Sequence, residues 1–151
     1  RLTTDDFLND YSVNVIGAFH SVKASVNSLK TNKGSVLFYS SVAAQVGFPM
    51  HASIGGAKGA IDGLTLSLAA ELSPFVRVNA IAPSLTDTPL ASRVLANDTV
   101  KETIGKMHPL KRLGTPEDIA NLSAYLLSNE ASWVTGQIFG LDGGRSGIAS
   151  M

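Results

Sequence analysis

Two short β-prone runs bracket a helical pattern: Val36-Leu37-Phe38-Tyr39 on one side and Val76-Arg77-Val78-Asn79-Ala80-Ile81-Ala82 on the other. The first is continuously apolar, and the second alternates before turning apolar, as strands covered on both faces do. Strand, helix and strand in that order form the unit that lays neighbouring strands parallel. A third run, Trp133-Val134-Thr135-Gly136-Gln137-Ile138-Phe139-Gly140-Leu141, reads as a last strand and ends in the turn Asp142-Gly143-Gly144. The chain is therefore expected to be α/β, with a parallel sheet of three strands and flanking helices.

Around these strands the helices announce themselves by caps and spacing. Thr3 or Thr4 followed by Asp5 and Asp6 reads as an N-cap with acids facing the positive end of the dipole. Phe7, Leu8, Tyr11, Val15, Phe19, Val22, Val26 and Leu29 recur at three- and four-residue spacing, predicting one long helix with a broad buried stripe, stopped by Asn32-Lys33-Gly34. A second helix follows the loop Val42 to Met50 and carries Gly55, Gly59 and Gly63 in register. Each glycine weakens a helix by up to about 1 kcal/mol, so the stripe is expected to meet another backbone closely, in a dimer or on the chain's own sheet. From Pro89 to Gly114 the pattern is irregular, as in a mobile lid. Thr115-Pro116-Glu117-Asp118 opens a final helix with Ile119, Leu122, Leu126 and Leu127 as its buried stripe.

At 151 residues and 44% hydrophobic composition the chain has one domain's worth of core. Zero formal net charge gives no footing for nucleic acid or an anionic membrane, and no apolar run reaches the roughly 20 residues of a membrane span. Cysteine is absent, which removes disulfides and thiolate metal sites and suits the cytoplasm. His20, His51 and His108 show no ligand spacing, so no metal is expected.

The chemistry concentrates between Ser40 and Ala70. A hydroxyl pair, Ser40-Ser41, closes the first strand, and Lys58 sits on a helix among Gly56, Ala57, Gly59, Ala60 and Ile61, where solubility does not call for a charge. Asn14 lies in N-V-I-G-A-F, and Pro83-Ser84-Leu85-Thr86-Asp87-Thr88 follows the second strand at the carboxyl edge, where open α/β sheets bind ligands. These segments, with the T-G-Q-I-F-G-L-D-G-G terminus, resemble the short-chain dehydrogenase/reductase family in the same order. The family has a serine, then a tyrosine thirteen positions on, then a lysine four further. Ser41 and Lys58 match, but the tyrosine's place is taken by Ile54.

The resemblance implies NAD(P)-dependent hydride transfer between an alcohol and a ketone. Ser41 would polarise the carbonyl, Lys58 would hold the nicotinamide ribose, Asn14 would support a proton relay, and Pro83 and Thr88 would contact the carboxamide. Ser84 stands where the family usually has glycine. The family's first half opens with a T-G-x-x-x-G-x-G loop that holds the pyrophosphate, and no such loop occurs in this sequence. About three βαβ units, at roughly 30 residues each, are expected before Arg1. Residues 1–151 thus read as the C-terminal portion of a doubly wound, Rossmann-like domain without its dinucleotide-binding half. On that reading the parent uses NAD or NADP on a small carbonyl or alcohol, while this chain alone holds no dinucleotide and is inactive. The same resemblance implies a homo-oligomer through the two long helices, and the alternative function is a catalytically silent oligomerisation or scaffold protein.

Overall fold

The computed structural model describes residues 2–148. Three parallel strands lie in the order β1 (Ser35–Tyr39), β2 (Arg77–Pro83), β3 (Ile138–Leu141). β2 is central: Ser35 to Tyr39 pair with Arg77 to Ile81 on one side, and Ala80 to Pro83 pair with Ile138 to Leu141 on the other. With a strand on either side of it an uninterrupted apolar run is tolerated there, and Val78, Ala80, Ile81 and Ala82 are sealed from solvent.

The long helix α3 (Ala52–Leu72) covers one face of the sheet with Ala57, Ile61, Thr65, Ala69 and Leu72, a four-residue stripe facing Phe38, Val78 and Ala80. On the opposite face lies α5 (Pro116–Leu127), whose Ser123 hydroxyl meets the Tyr39 hydroxyl at 2.9 Å. Alternation along β1 places Phe38 and Tyr39 on these two sides. Thr115 and Asp118 form a reciprocal capping box at the start of α5. At its end the Arg77 guanidinium donates to the carbonyls of Leu126 and Ser128, each at 2.9 Å, and so satisfies acceptors the helix cannot. The fully buried Asn79 donates to the Val134 carbonyl (2.9 Å) and accepts from the Gln137 amide (3.1 Å), fastening the turn before β3.

Several expectations are corrected. The single long helix is two, α1 (Thr4–Tyr11) and α2 (Gly17–Thr31), joined by a π turn at Ser12–Ile16. Its stripe is largely uncovered: only Val15 and Val22 are buried, whereas Phe7 is 44% and Leu8 63% exposed. β1 is likewise only partly covered, because it has one neighbour; Phe38 is buried but Tyr39 is 48% exposed. In the last helix Leu127 turns outward. Of the three in-register glycines of α3, Gly55 alone meets another backbone: a Cβ there would lie 3.0 Å from the Ala43 carbonyl oxygen, while Gly59 and Gly63 face open space. The irregular stretch holds a 3-10 turn at Pro89–Arg93 and a helix, α4 (Asp98–Lys106), capped by Asn97. That helix escapes a reading for buried stripes because almost nothing on it is buried.

Candidate active site

Parallel strands put all three carboxyl ends on one edge, and the residues singled out in the sequence gather there. Ser41 follows β1 in extended conformation and caps the 3-10 turn Val42–Ala44, its Oγ accepting from the Ala43 amide at 3.1 Å. That bond uses a lone pair, so the hydroxyl proton stays available to a carbonyl oxygen. Because Gly55 has no side chain, the Ala43 carbonyl can sit against α3, and the Ser41 turn is held beside the helix that carries Lys58.

Lys58 donates from Nζ to the Tyr39 carbonyl at 2.8 Å, leaving two of its three donors unspent among the described residues. Burial lowers its pKa below the ordinary lysine value, since desolvation disfavours the ammonium. Ser40 is buried, and its Oγ donates to the Lys58 carbonyl at 3.2 Å, tying strand end to helix. One turn further along, burial raises the Asp62 carboxyl above its usual range, with the Ser40 hydroxyl opposing the shift. Asp62 Oδ1 has no hydrogen-bond partner among the described residues. Its place one turn from Lys58 was legible, but its burial was not.

Asn14 lies within the π turn and donates from Nδ2 to the Asp10 carbonyl at 2.8 Å. That turn packs on α3, as does the Ser41 turn. Ile54 is half-buried, one helical turn before Lys58. Among the described residues, the polar side chains close to it in sequence are engaged elsewhere. The Tyr39 hydroxyl is engaged with Ser123 on the far face of the sheet, Ser53 is buried and donates to Asp10 Oδ2 at 2.6 Å, and His51 Nδ1 bonds the Pro49 carbonyl at 2.8 Å. Pro83 closes β2, and Thr88 precedes the Pro89–Arg93 turn without spending its hydroxyl on a cap.

Behind β3, Asp142 receives the amides of Gly144 (2.8 Å) and Ser146 (2.7 Å) and the Ser146 hydroxyl. Burial works to raise its pKa, but these bonds outweigh it and the carboxyl lies below its ordinary value. The turn they fix has Gly143 and Gly144 at positive φ, and Arg145 stacks over Phe48 of the loop after Ser41 with its guanidinium carbon 5.3 Å from the ring centre. His108, dismissed in the sequence for want of ligand spacing, proves 2% exposed and bonded to Ser84. No local signal could link residues 24 positions apart. Among the described residues no group of acidic or histidine side chains could hold a metal, and no helix is long and apolar enough to cross a membrane.

Comparison with known proteins fits this geometry. A family model described as enoyl-(acyl carrier protein) reductase matches residues 1–146. The chain is 38% identical over 145 residues to peroxisomal 2,4-dienoyl-CoA reductase of Saccharomyces cerevisiae, covering 95% of this chain and 50% of that protein. It is 42% identical over 143 residues to 2-(S)-hydroxypropyl-CoM dehydrogenase 3 of Xanthobacter autotrophicus, covering 91% of this chain and 56% of that one. Among solved structures it superposes on ElxO with NADP bound at a TM-score of 0.89 and 26% identity, covering 96% of this chain and 60% of that one. The chain spans about half the length of the curated relatives it matches. It belongs to the short-chain dehydrogenase/reductase family.

Proposed function

We propose that this chain supplies the catalytic, C-terminal portion of an oxidoreductase that passes hydride between a small alcohol or ketone and NAD or NADP. The observation that carries the reading is the convergence on α3: the Ser41 turn and the Asn14 turn both pack against the one helix that presents Ile54 and Lys58. The residues fit the nicotinamide end of such a cofactor. Lys58 has spare donors and a lowered pKa, and the Thr88 hydroxyl makes no cap bond in the segment that follows Pro83. When bound, the nicotinamide supplies or accepts the hydride. Ser41 directs its free proton at the substrate oxygen, Lys58 holds the ribose hydroxyls, Pro83 and Thr88 bound the carboxamide, and Asn14 orders the relay behind Lys58. The pyrophosphate end finds no glycine-rich strand-to-helix turn among the described residues, since Gly55 and Gly59 lie inside α3 and Gly143 and Gly144 follow β3.

Ile54 leaves the proton-donating position apolar. A positioned proton donor contributes typically about 10²- to 10⁴-fold, so Ile54→Tyr in the full-length protein should raise ketone reduction by that order. In the 151-residue chain the same change should do nothing, because no hydride donor is held, and calorimetry with NADH or NADPH should show no micromolar binding. Activity or tight binding in the short chain, or no gain in the long one, would overturn this assignment.

A second reading rests on the uncovered face of α1 and α2. Leu8, Val13, Ile16 and Phe19 are exposed together with Phe7 and Tyr11, and clustered exposed apolar side chains mark interaction surfaces. On this reading the N-terminal helical stretch (α1 and α2) and α3 together make a homo-oligomer, and with Ile54 in place the chain acts as a silent assembly partner.

A further inference from the structure

The stretch from Pro89 to Arg112 leaves the sheet edge after β2 and returns to it before α5. Its two ends meet: Asp87 donates its amide to the Gly114 carbonyl at 2.9 Å, Gly114 donates to the Leu85 carbonyl at 3.2 Å, and Thr86 and Gly114 form a parallel bridge. Between these ends the segment is held to the rest of the chain by few polar bonds. Lys101 pairs with Asp87 at 2.9 Å, but both side chains are well exposed and such pairs contribute little.

Besides the Leu110 amide on the Gly143 carbonyl (3.1 Å) and the Arg112–Asp118 pair, the segment's buried side-chain link is His108. Its imidazole is all but sealed from solvent and both ring nitrogens are engaged, Nδ1 with the Ile104 carbonyl at 3.0 Å and Nε2 with Ser84 Oγ at 2.8 Å. A carbonyl can only accept, so Nδ1 carries the proton in the neutral ring and Nε2 must accept from the Ser84 hydroxyl. The ring thus joins the end of α4 to the residue that directly follows Pro83 at the end of β2. Of the surrounding walls, Leu85, Leu110, Leu113, Ile119 and Leu141 are apolar, Arg112 and Asp118 are paired with each other, and Asp142 is taken up by the Gly144 and Ser146 amides.

We infer that Ser84 and His108 are positioning residues: their hydrogen bond pins the end of α4 at a fixed height over the strand edge, while the Leu110 and Arg112 contacts hold the return towards α5. The inference rests on the oxidoreductase reading for what the segment covers, though not for the pin itself. Losing a bond to a buried group frees its end of the segment to open locally, without loosening the sheet.

Ser84→Val and Ser84→Thr test this as a pair, because the two side chains have the same shape and differ in a methyl against a hydroxyl. In the intact protein, amide hydrogen exchange of residues 98–107 should accelerate by about 10-fold or more in the valine variant and stay close to wild type in the threonine variant, with residues 78–82 unchanged in both. Equal exchange in the two variants, or acceleration as large in β2 as in the lid, overturns the pin. Nitrogen chemical shifts of His108 in the unaltered protein give a check that needs no variant: a proton on Nδ1 supports the assignment and one on Nε2 sinks it. With a ketone that the full-length protein reduces, the valine variant should raise KM more than it lowers kcat, and threonine should restore KM. If the full-length protein reduces no ketone, the proposed activity fails while the exchange difference still decides the pin.

Discussion

β1 and β2 begin from similar sequence and end in different surroundings. Both are short runs that pattern for burial on two faces, yet β2 is sealed while β1 keeps Tyr39 half in solvent. The difference is neighbours. β2 has a strand on either side and a helix on either face, whereas β1 has one strand, and the helices α1 and α2 beside it turn an apolar surface outward. An apolar pattern reports what covers a residue in the whole protein, and where the chain spans about half its relatives the two need not coincide.

Cutting into each side separates them most sharply. Ile81→Ala removes a fully buried side chain from the covered side and should cost about 2–5 kcal/mol in urea unfolding. On the uncovered side Leu8→Ser should leave unfolding within about 0.5 kcal/mol and instead shift sedimentation towards smaller species, since an apolar face that is buried between copies is weakened by a hydroxyl. Equal losses at the two positions would erase the distinction.

The same motif on both sides offers a finer comparison. Thr3–Asp6 and Thr115–Asp118 are identical capping boxes, one opening the partly uncovered α1 and the other opening α5 on the sheet. Thr115→Ala should cost about 1 kcal/mol, as caps typically do, while Thr3→Ala should cost less because the end of α1 can fray without disturbing the core. Thermal melts of the two variants decide this, and a larger loss at Thr3 would reverse the ranking.

The smallest effect is in acid. Arg112, with further help from the Thr115 amide, holds the Asp118 carboxyl well below its ordinary value. A carboxylate depressed in the folded state adds stability above its unfolded pKa of about 3.9 and loses it as pH falls through the folded value. Acid titration should therefore show stability declining below about pH 4, and Arg112→Gln should soften that decline. Asp6 is also lowered, by Thr3 alone, so its counterpart variant should alter the acid limb less.

How much was legible follows the same divide. The first two strands, the stop at Asn32-Lys33-Gly34 and the cap at Thr115 were readable because each is decided within a few residues, whereas the third run, read as strand from Trp133, is strand only over Ile138–Leu141, and the first cap, left between Thr3 and Thr4, is Thr3. Ser41 and Lys58 were singled out by spacing, and the turn that Ser41 caps packs on the helix that carries Lys58. The π turn was not readable, because apolar spacing continues smoothly across Ser12–Ile16 and the widened turn leaves no compositional mark. Nor were Ser40, Asp62 or the Ser84–His108 pair, whose surroundings are assembled from segments far apart in the chain. Helix α4 was missed for the opposite reason: it is a surface helix set by its cap, and a reading for buried faces passes over it.

The π turn makes the number of residues a variable in its own right. Gly17 donates to the Ser12 carbonyl, five positions back where an α-helix would use four. Shortening the chain by one exposed residue, Val13, would let an ordinary helix run straight through and would turn everything before it by about 100° about the axis. Asp10 would swing away from Ser53, and Phe7 from Gly56. Between relatives of unequal length, a single-residue gap at this point therefore marks a rotated α1 and an Asn14 parted from the Asp10 carbonyl, even where every flanking letter agrees.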